Sequence, residues 1–297
     1  MSIEDYNLIA KIIERCETKE VIPQIAKVIN QFFSIDDYMV IIFRKGASPT
    51  LFAYGQKNKG SYAGSFNAIE TSSLLNDTKD PASIYFSGAY LIDPYCEFWN
   101  NYSRDSFYLM SDITSSEFEE TEYFLKQYNA WEFKDLGRYM IQLEEEMVVH
   151  FSLGRHKSNP NFSSEERDGL KKTLPFVRAA IKKCIQNDLE HIHKQQKNSE
   201  IFHLQLEQRF LAFGTSQLTN REVEITRLLL KGYSVKGISK IISISPSTVQ
   251  THTKNIYKKL EVCSSQELFG LFIEALETTN VVELEDPLSQ FSFTSKT

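Results

Sequence analysis

The spacing of apolar residues changes several times along the first 185 positions. Over residues 3–33 apolar side chains recur about every 3.6 positions, which predicts a helix. Residues 37–46 and 49–55 are strand-like and predict a hairpin, and residues 137–156 predict two strands joined around Glu144–Glu146. The order of helix, strands, helices, two strands and helix favours an α+β fold, in which helices pack on an antiparallel sheet.

Shorter helices are predicted between and after these strands. Pro94 interrupts residues 89–102, which predicts a short helix on either side of it, and the acidic residues 115–130 predict another. Ser163 and Glu166 have the spacing of a capping box and predict the start of a helix that runs to about residue 185.

Helical spacing continues through residues 186–213, with a polar patch at 195–198. This segment predicts a helical linker, which either aligns two subunits or only connects two domains. The residues after Leu276 are polar and are expected to be disordered. The predicted organisation is a sensor domain of residues 1–185, a linker of residues 186–214, a second domain of residues 215–276 and a tail of residues 277–297.

The second domain predicts four short helices whose ends are marked by capping residues. Thr219 and Glu222 have the spacing of a capping box at the first helix. Ser234 caps the second helix and Ser245 caps the third, where Pro246 follows at the first helical position. Proline fits there because the amide hydrogen that it lacks would be unpaired in any case.

The third of these helices, about residues 246–260, has one apolar and one polar side. Its inward positions, at spacings of 3, 4 and 4, are Val249, His252, Ile256 and Leu260. The opposite side carries hydroxyl, amide and lysine side chains, which suit the major groove of DNA. The residues that we expect to contact DNA are Ser245, Ser247, Thr248, Gln250, Thr251, Lys254 and Lys258, together with Lys236 of the preceding helix.

Charge is distributed unevenly between the two predicted domains. Residues 215–276 contain eight Lys or Arg and five Glu, which gives +3, so the remainder of a chain of net charge −6 carries −9. A basic domain attached to an acidic body places the expected phosphate-binding surface in the C-terminal domain.

The C-terminal domain shares with one known family a pattern that runs without a gap over about 45 residues. The shared residues are Leu218, Thr219, Arg221, Glu222, Glu224, Leu228, Leu229, Gly232, Ser234, Lys236, Ile238, Ile244, Ser245, Thr248, Val249, His252, Asn255, Ile256, Lys259 and Leu260. The pattern resembles that of the LuxR-type transcriptional regulators, and the resemblance implies a helix-turn-helix domain that binds double-stranded DNA. The departures are Thr226, Val235, Gly237, Ser239, Gln250 and Ser265. Of these, Gln250 and Ser265 each lack a positive charge that the family usually offers to DNA.

Blocks of the N-terminal part also resemble a known group. They are YLIDPYCEFW, FYLMSDI, TEYFLKQY, VHFSLGR and FSSEE. Similar blocks occur in bacterial regulators that join a GAF-like N-terminal half to the same C-terminal domain, which implies a GAF/PAS-like sensor. A phosphoacceptor receiver is not expected, because no buried strand with a paired-acid loop occurs near residue 10. Acyl-homoserine-lactone receptors carry a W-x-x-x-Y block before an Asp-Pro pair. Asp93-Pro94 is present here, but Trp99 follows it and no W-x-x-x-Y block precedes it. That ligand class is therefore kept only as an alternative.

Aromatic residues are dense over residues 85–133, with aspartates among them. An apolar pocket with a few convergent polar groups suits a small molecule, and a carboxylate among aromatic rings suits an amine or amide. The expected ligand-binding residues are Tyr90, Asp93, Tyr95, Trp99, Tyr102, Tyr108 and Asp112. His150 and Ser152 share one strand face and are further candidates, with a solvent-facing or hydrogen-bonded pair as the alternative.

Other classes of protein are less compatible with the chain. Its four cysteines contain no C-x-x-C pair, so no metal site or disulfide framework is expected, and a reducing cytoplasm is the simpler compartment. The acidic start differs from a signal peptide, and no apolar run approaches the ~18 residues of a membrane span. We expect no enzyme and no cofactor, because the chain lacks a Gly-rich phosphate loop, a nucleophile elbow and a metal-ligand cluster.

These observations predict a cytoplasmic transcriptional regulator that binds DNA as a homodimer and whose N-terminal domain senses a small molecule. Two alternatives differ in what the N-terminal domain binds. It would bind a partner protein in one of them, and it would bind an acyl-homoserine lactone in the other.

Overall fold

The computed structural model describes residues 10–14, 19–57, 66–68, 81–101, 105–114, 118, 124, 128, 130–278, 285–291 and 293. The chain forms two compact units. The first unit comprises Met1–Asp80, Phe98–Ile113 and Glu132–Glu200, and the second comprises Pro81–Glu97, Thr114–Trp131 and Ile201–Thr297. Within the described parts, none of the helices has the length and apolarity that a membrane crossing requires.

A six-stranded antiparallel sheet forms the centre of the first unit. Its strands are β1 (Asp37–Arg44), β2 (Thr50–Lys57), β3 (Phe66–Ala68), β4 (Ser106–Leu109), β5 (Phe133–Glu144) and β6 (Met147–His156). Their order across the sheet is β3-β2-β1-β6-β5-β4. The β1–β2 hairpin and the β5–β6 hairpin that the sequence predicts are both present, and β1 pairs with β6 to join them.

Two helices cover one face of this sheet. They are α1 (Ile22–Phe32) and the helix Ser164–Gln186, which we call α5. Alternate residues of the central strands, such as Val149, Phe151 and Leu153, are buried with the apolar sides of both helices in one core. The predicted capping box begins α5: the Ser163 hydroxyl accepts from the Glu166 amide at 3.1 Å, and Glu166 accepts from the Ser163 amide at 2.9 Å.

The shorter helices before α5 are α2 (Pro81–Phe86), α3 (Pro94–Asn101) and α4 (Met110–Ile113). A 3-10 helix at Ala89–Ile92 precedes α3, so the prediction of short helices on either side of Pro94 is confirmed. Residues 10–14 are helical and a 3-10 helix at Lys19–Val21 leads into α1. The predicted acidic helix at 115–130 lies mostly outside the described residues.

A long helix, α6 (Leu189–Ala212), occupies the predicted linker, and its residues belong to the first unit up to Glu200 and to the second from Ile201. In the first unit, the Gln196 amide donates to the Ile42 carbonyl at 3.2 Å, and Arg44 pairs with Glu200 at 2.5 Å. These bonds fix the first half of α6 beside the end of β1.

Four helices follow in the second unit: α7 (Asn220–Leu230), α8 (Val235–Ile241), α9 (Pro246–Lys259) and α10 (Ser265–Thr278). The first three begin at the predicted caps Thr219, Ser234 and Ser245, and α7 ends before Gly232, whose φ of 81° suits glycine. The predicted α+β class with a C-terminal helical domain is therefore confirmed.

The tail differs from its prediction. Residues 277–297 were expected to be disordered, but α10 continues to Thr278 and residues 287–290 form a 3-10 helix. Asp286 caps this short helix and also accepts hydrogen bonds from the amides of Gly214 and Ser216, while Leu288 is fully buried. The prediction was wrong for residues 285–291 because it relied on the polar composition and overlooked this cap.

Candidate nucleic-acid interface and effector site

Helix α9 is held by its apolar side. Val249 and Ile256 are fully buried, and the helix packs against α7 and α8. At its start the Ser245 hydroxyl accepts from the Thr248 amide at 3.1 Å, and Pro246 takes the first helical position. Burial of one side leaves the opposite side of the helix directed outward.

All eight residues predicted to contact DNA are exposed in the structure. Ser247, Thr251, Lys254 and Lys258 follow one another at intervals of three or four residues, so they lie along one side of α9 with Gln250 beside them. The hydroxyls at the helix start have local partners: Ser245 contacts those of Ser247 and Thr248 at 2.8 Å, and Thr251 donates to the Ser247 carbonyl. The DNA contacts themselves stay a prediction.

Lys259, which follows this surface, has a structural contact instead. Its ammonium lies 2.6 Å from Oε2 of Glu222, a buried side chain that also accepts from the amide and hydroxyl of Thr219. Burial raises the pKa of Glu222, but the bonds from Lys259 and Thr219 outweigh burial and hold this pKa below its ordinary value. Glu222 therefore caps α7 and ties it to the end of α9.

Arg221 makes a second connection within the helical domain. Its guanidinium donates to the Ile242 carbonyl at 2.9 Å and pairs with Glu224 at 2.5 Å. Ile242 ends α8, and Ser243 after it has a φ of 53°. Arg221 thus fixes the turn before α9, a role that sequence reasoning did not assign to it.

Three of the predicted ligand-binding residues belong to the second unit, and all three are buried. Asp93 accepts from the Tyr85 hydroxyl at 2.7 Å and from the Tyr95 amide at 2.9 Å. The Tyr90 hydroxyl lies 2.8 Å from Nδ1 of His203 on α6. Both oxygens of Asp93 therefore already bind the protein around the start of α3.

The other described members of the predicted set belong to the first unit. Asp112 accepts from the Leu109 amide at 3.0 Å and from Arg167 at 2.9 Å. Tyr108 packs edge-on against Phe98, with ring centroids 4.8 Å apart. The indole nitrogen of Trp99 is buried and finds no hydrogen-bond partner among the described residues. Tyr102 lies outside the described residues, and the ligand-binding role of the set stays a prediction.

Polar side chains occupy the centre of the sheet face opposite the core of α1 and α5. The cross-strand pairs place Tyr108, Arg138, Ser152, Met39 and Tyr54 in one row across β4, β5, β6, β1 and β2. Beside this row lies His150, which pairs with Met140 and is fully buried. Burial, and then the nearby charge of Arg138, hold the pKa of His150 well below its ordinary value, so the imidazole is neutral.

A second group of charges lies where β1 begins and β6 ends. His156 Nε2 is 2.9 Å from Oδ2 of Asp37, and burial raises the pKa of Asp37 to about 6. The hydrogen bond to Asp37 in turn raises the pKa of His156. Gly154 lies opposite Asp37 in the ladder, and a Cβ at that position would collide with the carboxylate.

Comparison with known proteins finds one matching family and several similar regulators. Residues 216–272 match the family described as bacterial regulatory proteins, luxR family. An HTH-type transcriptional regulator from the exeN 3' region of Aeromonas salmonicida is 26% identical over 170 residues, which cover 57% of this chain and 87% of that protein. The monoamine regulon transcriptional regulator of Klebsiella aerogenes is 34% identical over 137 residues, which cover 46% of this chain and 48% of that protein. The chain thus matches about half the length of the Klebsiella relative.

Among solved structures, the LBD domain of VqsR from Pseudomonas aeruginosa has a TM-score of 0.49 and 24% identity. That comparison covers 63% of this chain and 99% of the VqsR domain. A phycocyanobilin-bound GAF domain of a cyanobacterial phytochrome has a TM-score of 0.38 and 14% identity, and it covers 64% of this chain and 99% of that domain.

Proposed function

We propose that this chain, whose residues 216–272 form a LuxR-type helix-turn-helix domain, is a DNA-binding transcriptional regulator controlled by a small molecule. In this proposal residues 1–185 sense the effector, residues 186–214 connect the domains and residues 215–276 bind DNA. The chain acts in the cytoplasm as a homodimer and catalyses no reaction.

The observation that carries the proposal is the two-sided helix α9. Its buried side fixes the helix in the domain, and its outer side presents Gln250, Lys254 and Lys258. An amide suits the donor and acceptor pair of adenine in the major groove, and lysines neutralise phosphates. Selection of duplexes from a random-sequence library by the full chain tests this function, and enrichment of one sequence motif is the expected result.

A dimer is proposed because one recognition helix contacts only a few base pairs, and the described residues contain one helix-turn-helix. The second half of α6 offers a surface for a second copy of the chain. Ile201, Leu204 and Leu211 are 71%, 52% and 49% exposed and follow a helical stripe on the side of α6 opposite the buried Leu206 and Phe210. Two copies of this stripe, each leading directly into a DNA-binding domain, would present two recognition helices to two half-sites.

Light scattering of matched variants tests the dimer. Leu204→Ser is expected to give a monomer that protects one half-site in a footprint. Phe32→Ser is the control, because Phe32 is also an exposed apolar residue, at 42%, but lies on α1. A Leu204→Ser protein that stays dimeric would contradict the proposed interface. A wild-type chain that binds DNA as a monomer would contradict the dimer itself.

Sensing of a small molecule is supported by polar groups that lie inside the first unit. The buried indole nitrogen of Trp99 and the buried hydroxyl of Ser152 both lack hydrogen-bond partners among the described residues. A bound effector can shift DNA binding by its differential affinity for two forms of the protein, on the scale of about 1–3 kcal/mol. Mass spectrometry of molecules retained by the purified chain, followed by DNA titration with and without the retained compound, tests this part. A retained compound that leaves DNA affinity unchanged would contradict it.

A further inference from the structure

One segment of the proposed sensing domain belongs to the same compact unit as the DNA-binding helices. Residues Pro81–Glu97, which include α2 and the first half of α3, fall in the second unit together with α7 to α10. The Tyr90 hydroxyl of this segment lies 2.8 Å from Nδ1 of His203 on α6, and a Cβ added at Gly88 would lie 2.8 Å from Leu276 Cδ1 on α10. The segment is therefore packed closely on the helical domain at two places.

Glu97, the last residue of this segment, makes a third contact, which is ionic. Its Oε1 lies 3.4 Å from the Lys231 ammonium and 3.3 Å from the Tyr233 hydroxyl, which donates to it. Lys231 caps the end of α7, and Tyr233 precedes Ser234, the cap of α8. Burial, and then the carboxylate of Glu97, raise the pKa of Tyr233, so this hydroxyl keeps the proton that it donates. One carboxylate oxygen thus binds both side-chain donors of the turn between α7 and α8.

The same two donors are suited to a phosphate of DNA. Lysine and tyrosine side chains are among those that bind phosphate oxygens. In a helix-turn-helix with α9 in the major groove, the preceding helix, α8, crosses the DNA backbone. Lys231 and Tyr233 adjoin the start of α8, and Lys236 on that helix is one of the predicted DNA contacts. Glu97 therefore offers to these donors the kind of negative oxygen that the backbone of a bound duplex would offer.

The exposure of the ion pair suits a contact that opens. The side chains of Lys231 and Glu97 are 28% and 38% exposed, so both charges keep part of their hydration and the pair is weak. A phosphate can displace a contact of this strength, whereas opening a buried pair would leave a desolvated charge. The pair of Lys259 with Glu222 is the contrast in the same domain, because the Glu222 side chain is only 4% exposed and is part of the cap of α7.

We propose that Glu97 occupies a phosphate-binding site formed by Lys231 and Tyr233, and that DNA must displace it. The contact is autoinhibitory, because the closed pair lowers the affinity of the helix-turn-helix for DNA. Asp93 lies one helical turn before Glu97, and its carbonyl accepts from the Glu97 amide at 3.3 Å. A displacement of Asp93 is therefore passed to Glu97, which connects the predicted effector residues to DNA binding. This inference rests on the proposed DNA-binding function and adds a contact and its control.

The test compares variants of the full chain, titrated at several salt concentrations with the duplex that the wild type selects. Glu97→Gln should tighten binding by about 3-fold per copy of the chain, or roughly 10-fold for a dimer, because an exposed ion pair no longer has to open. Glu97→Asp keeps the charge but shortens the side chain by one methylene, so it should also tighten binding. Adding Lys231→Met to Glu97→Gln should weaken binding by about 5-fold per copy and lower the salt slope by about 0.9 per copy.

Glu207→Gln is the control for net charge, because Glu207 is an exposed acidic residue on α6 in the same unit. It should bind DNA like the wild type. A Glu97→Gln variant with wild-type affinity, or an equal gain in Glu207→Gln, would overturn the autoinhibitory contact, and a variant that misfolds cannot imitate the expected gain. Unchanged affinity and slope on adding Lys231→Met to Glu97→Gln would overturn the phosphate site. The proposed DNA-binding function fails separately, when the wild type binds the selected duplex no better than a scrambled one.

Discussion

The three lysines of α9 are expected to affect DNA binding in different ways. Lys254 and Lys258 are exposed on the outer side of the helix, whereas the ammonium of Lys259 lies 2.6 Å from the buried carboxylate of Glu222. Replacing Lys254 by alanine should remove one phosphate contact from each copy of the chain. Replacing Lys259 by methionine should instead loosen the packing of α9 on α7.

The magnitudes follow from counterion release. Each phosphate neutralised contributes about 0.9 to the slope of log affinity against log salt, which at 0.15 M salt amounts to about 1 kcal/mol or roughly 5-fold in Kd. A dimer loses two contacts, so Lys254→Ala should lower the slope by about 1.8 and weaken binding by about 25-fold on every DNA sequence. A monomer would lose one contact, so its slope would fall by only about 0.9. Lys259→Met should leave the slope unchanged and cost about 1 kcal/mol of stability, because Lys259 is 40% exposed and its ion pair is partly screened.

The assay is a fluorescence titration of a selected duplex at salt concentrations from 50 to 200 mM, with thermal unfolding of each variant in parallel. Gln250→Ala serves as the comparison for specificity. It should alter the preferred sequence by about 1–3 kcal/mol per base pair contacted and leave the salt slope nearly unchanged. Two results would contradict these roles: a Lys254→Ala variant that retains the wild-type slope and affinity, or a Lys259→Met variant that reduces the slope as Lys254→Ala is expected to.

Three further predictions concern stability. Asp37 and His156 both have a raised pKa, so the folded chain binds more protons than the unfolded chain between about pH 4 and 7. The free energy of unfolding in urea should therefore fall by on the order of 2 kcal/mol as the pH rises through that range. Asp37→Asn should flatten this dependence, and an unchanged slope would contradict the assignment. Gly237→Ala should raise the stability by about 0.5–1 kcal/mol, because alanine favours a helix more than glycine does. A Cβ at this position meets Ser234 Oγ and a Tyr233 ring carbon only at ordinary distances of 3.5 and 3.6 Å. A lower temperature of thermal unfolding would refute this. Asp93→Ala should destabilise the chain by about 1–3 kcal/mol, since it removes a buried acceptor that binds the Tyr85 hydroxyl and the Tyr95 amide. A variant of wild-type stability that had lost its response to effector would instead support direct contact of Asp93 with the ligand.

Local features of this fold could be predicted from the sequence because their causes lie within a few residues. The capping boxes at Ser163 and Thr219 each join a side chain to an amide three positions away, and both form as expected. The β1–β2 and β5–β6 hairpins also form between strands that follow each other closely in the sequence, as predicted. Asp286 before a proline has the same signature as Ser245 before Pro246, so the cap in the tail could have been found by the rule that located α9.

Features that depend on distant residues could not be predicted in this way. The pairing of β1 with β6 brings together strands that are more than 100 residues apart, and no local pattern specifies it. The position of Arg138 beside Ser152 follows from the register of β5 on β6, which the strand predictions left open. The ion pair of Glu222 with Lys259 likewise needs the packing of α7 on α9, so Lys259 could not be distinguished by sequence from the exposed lysines before it.

The central claim, that this chain binds specific DNA through the outer side of α9, is tested most directly by one pair of binding isotherms. The full chain is titrated at 0.15 M salt with the duplex that it selects from a random library and with a scrambled duplex of the same composition. The account predicts at least about 10³-fold tighter binding to the selected duplex, the usual ratio for a specific site. Equal affinity for the two duplexes would contradict it.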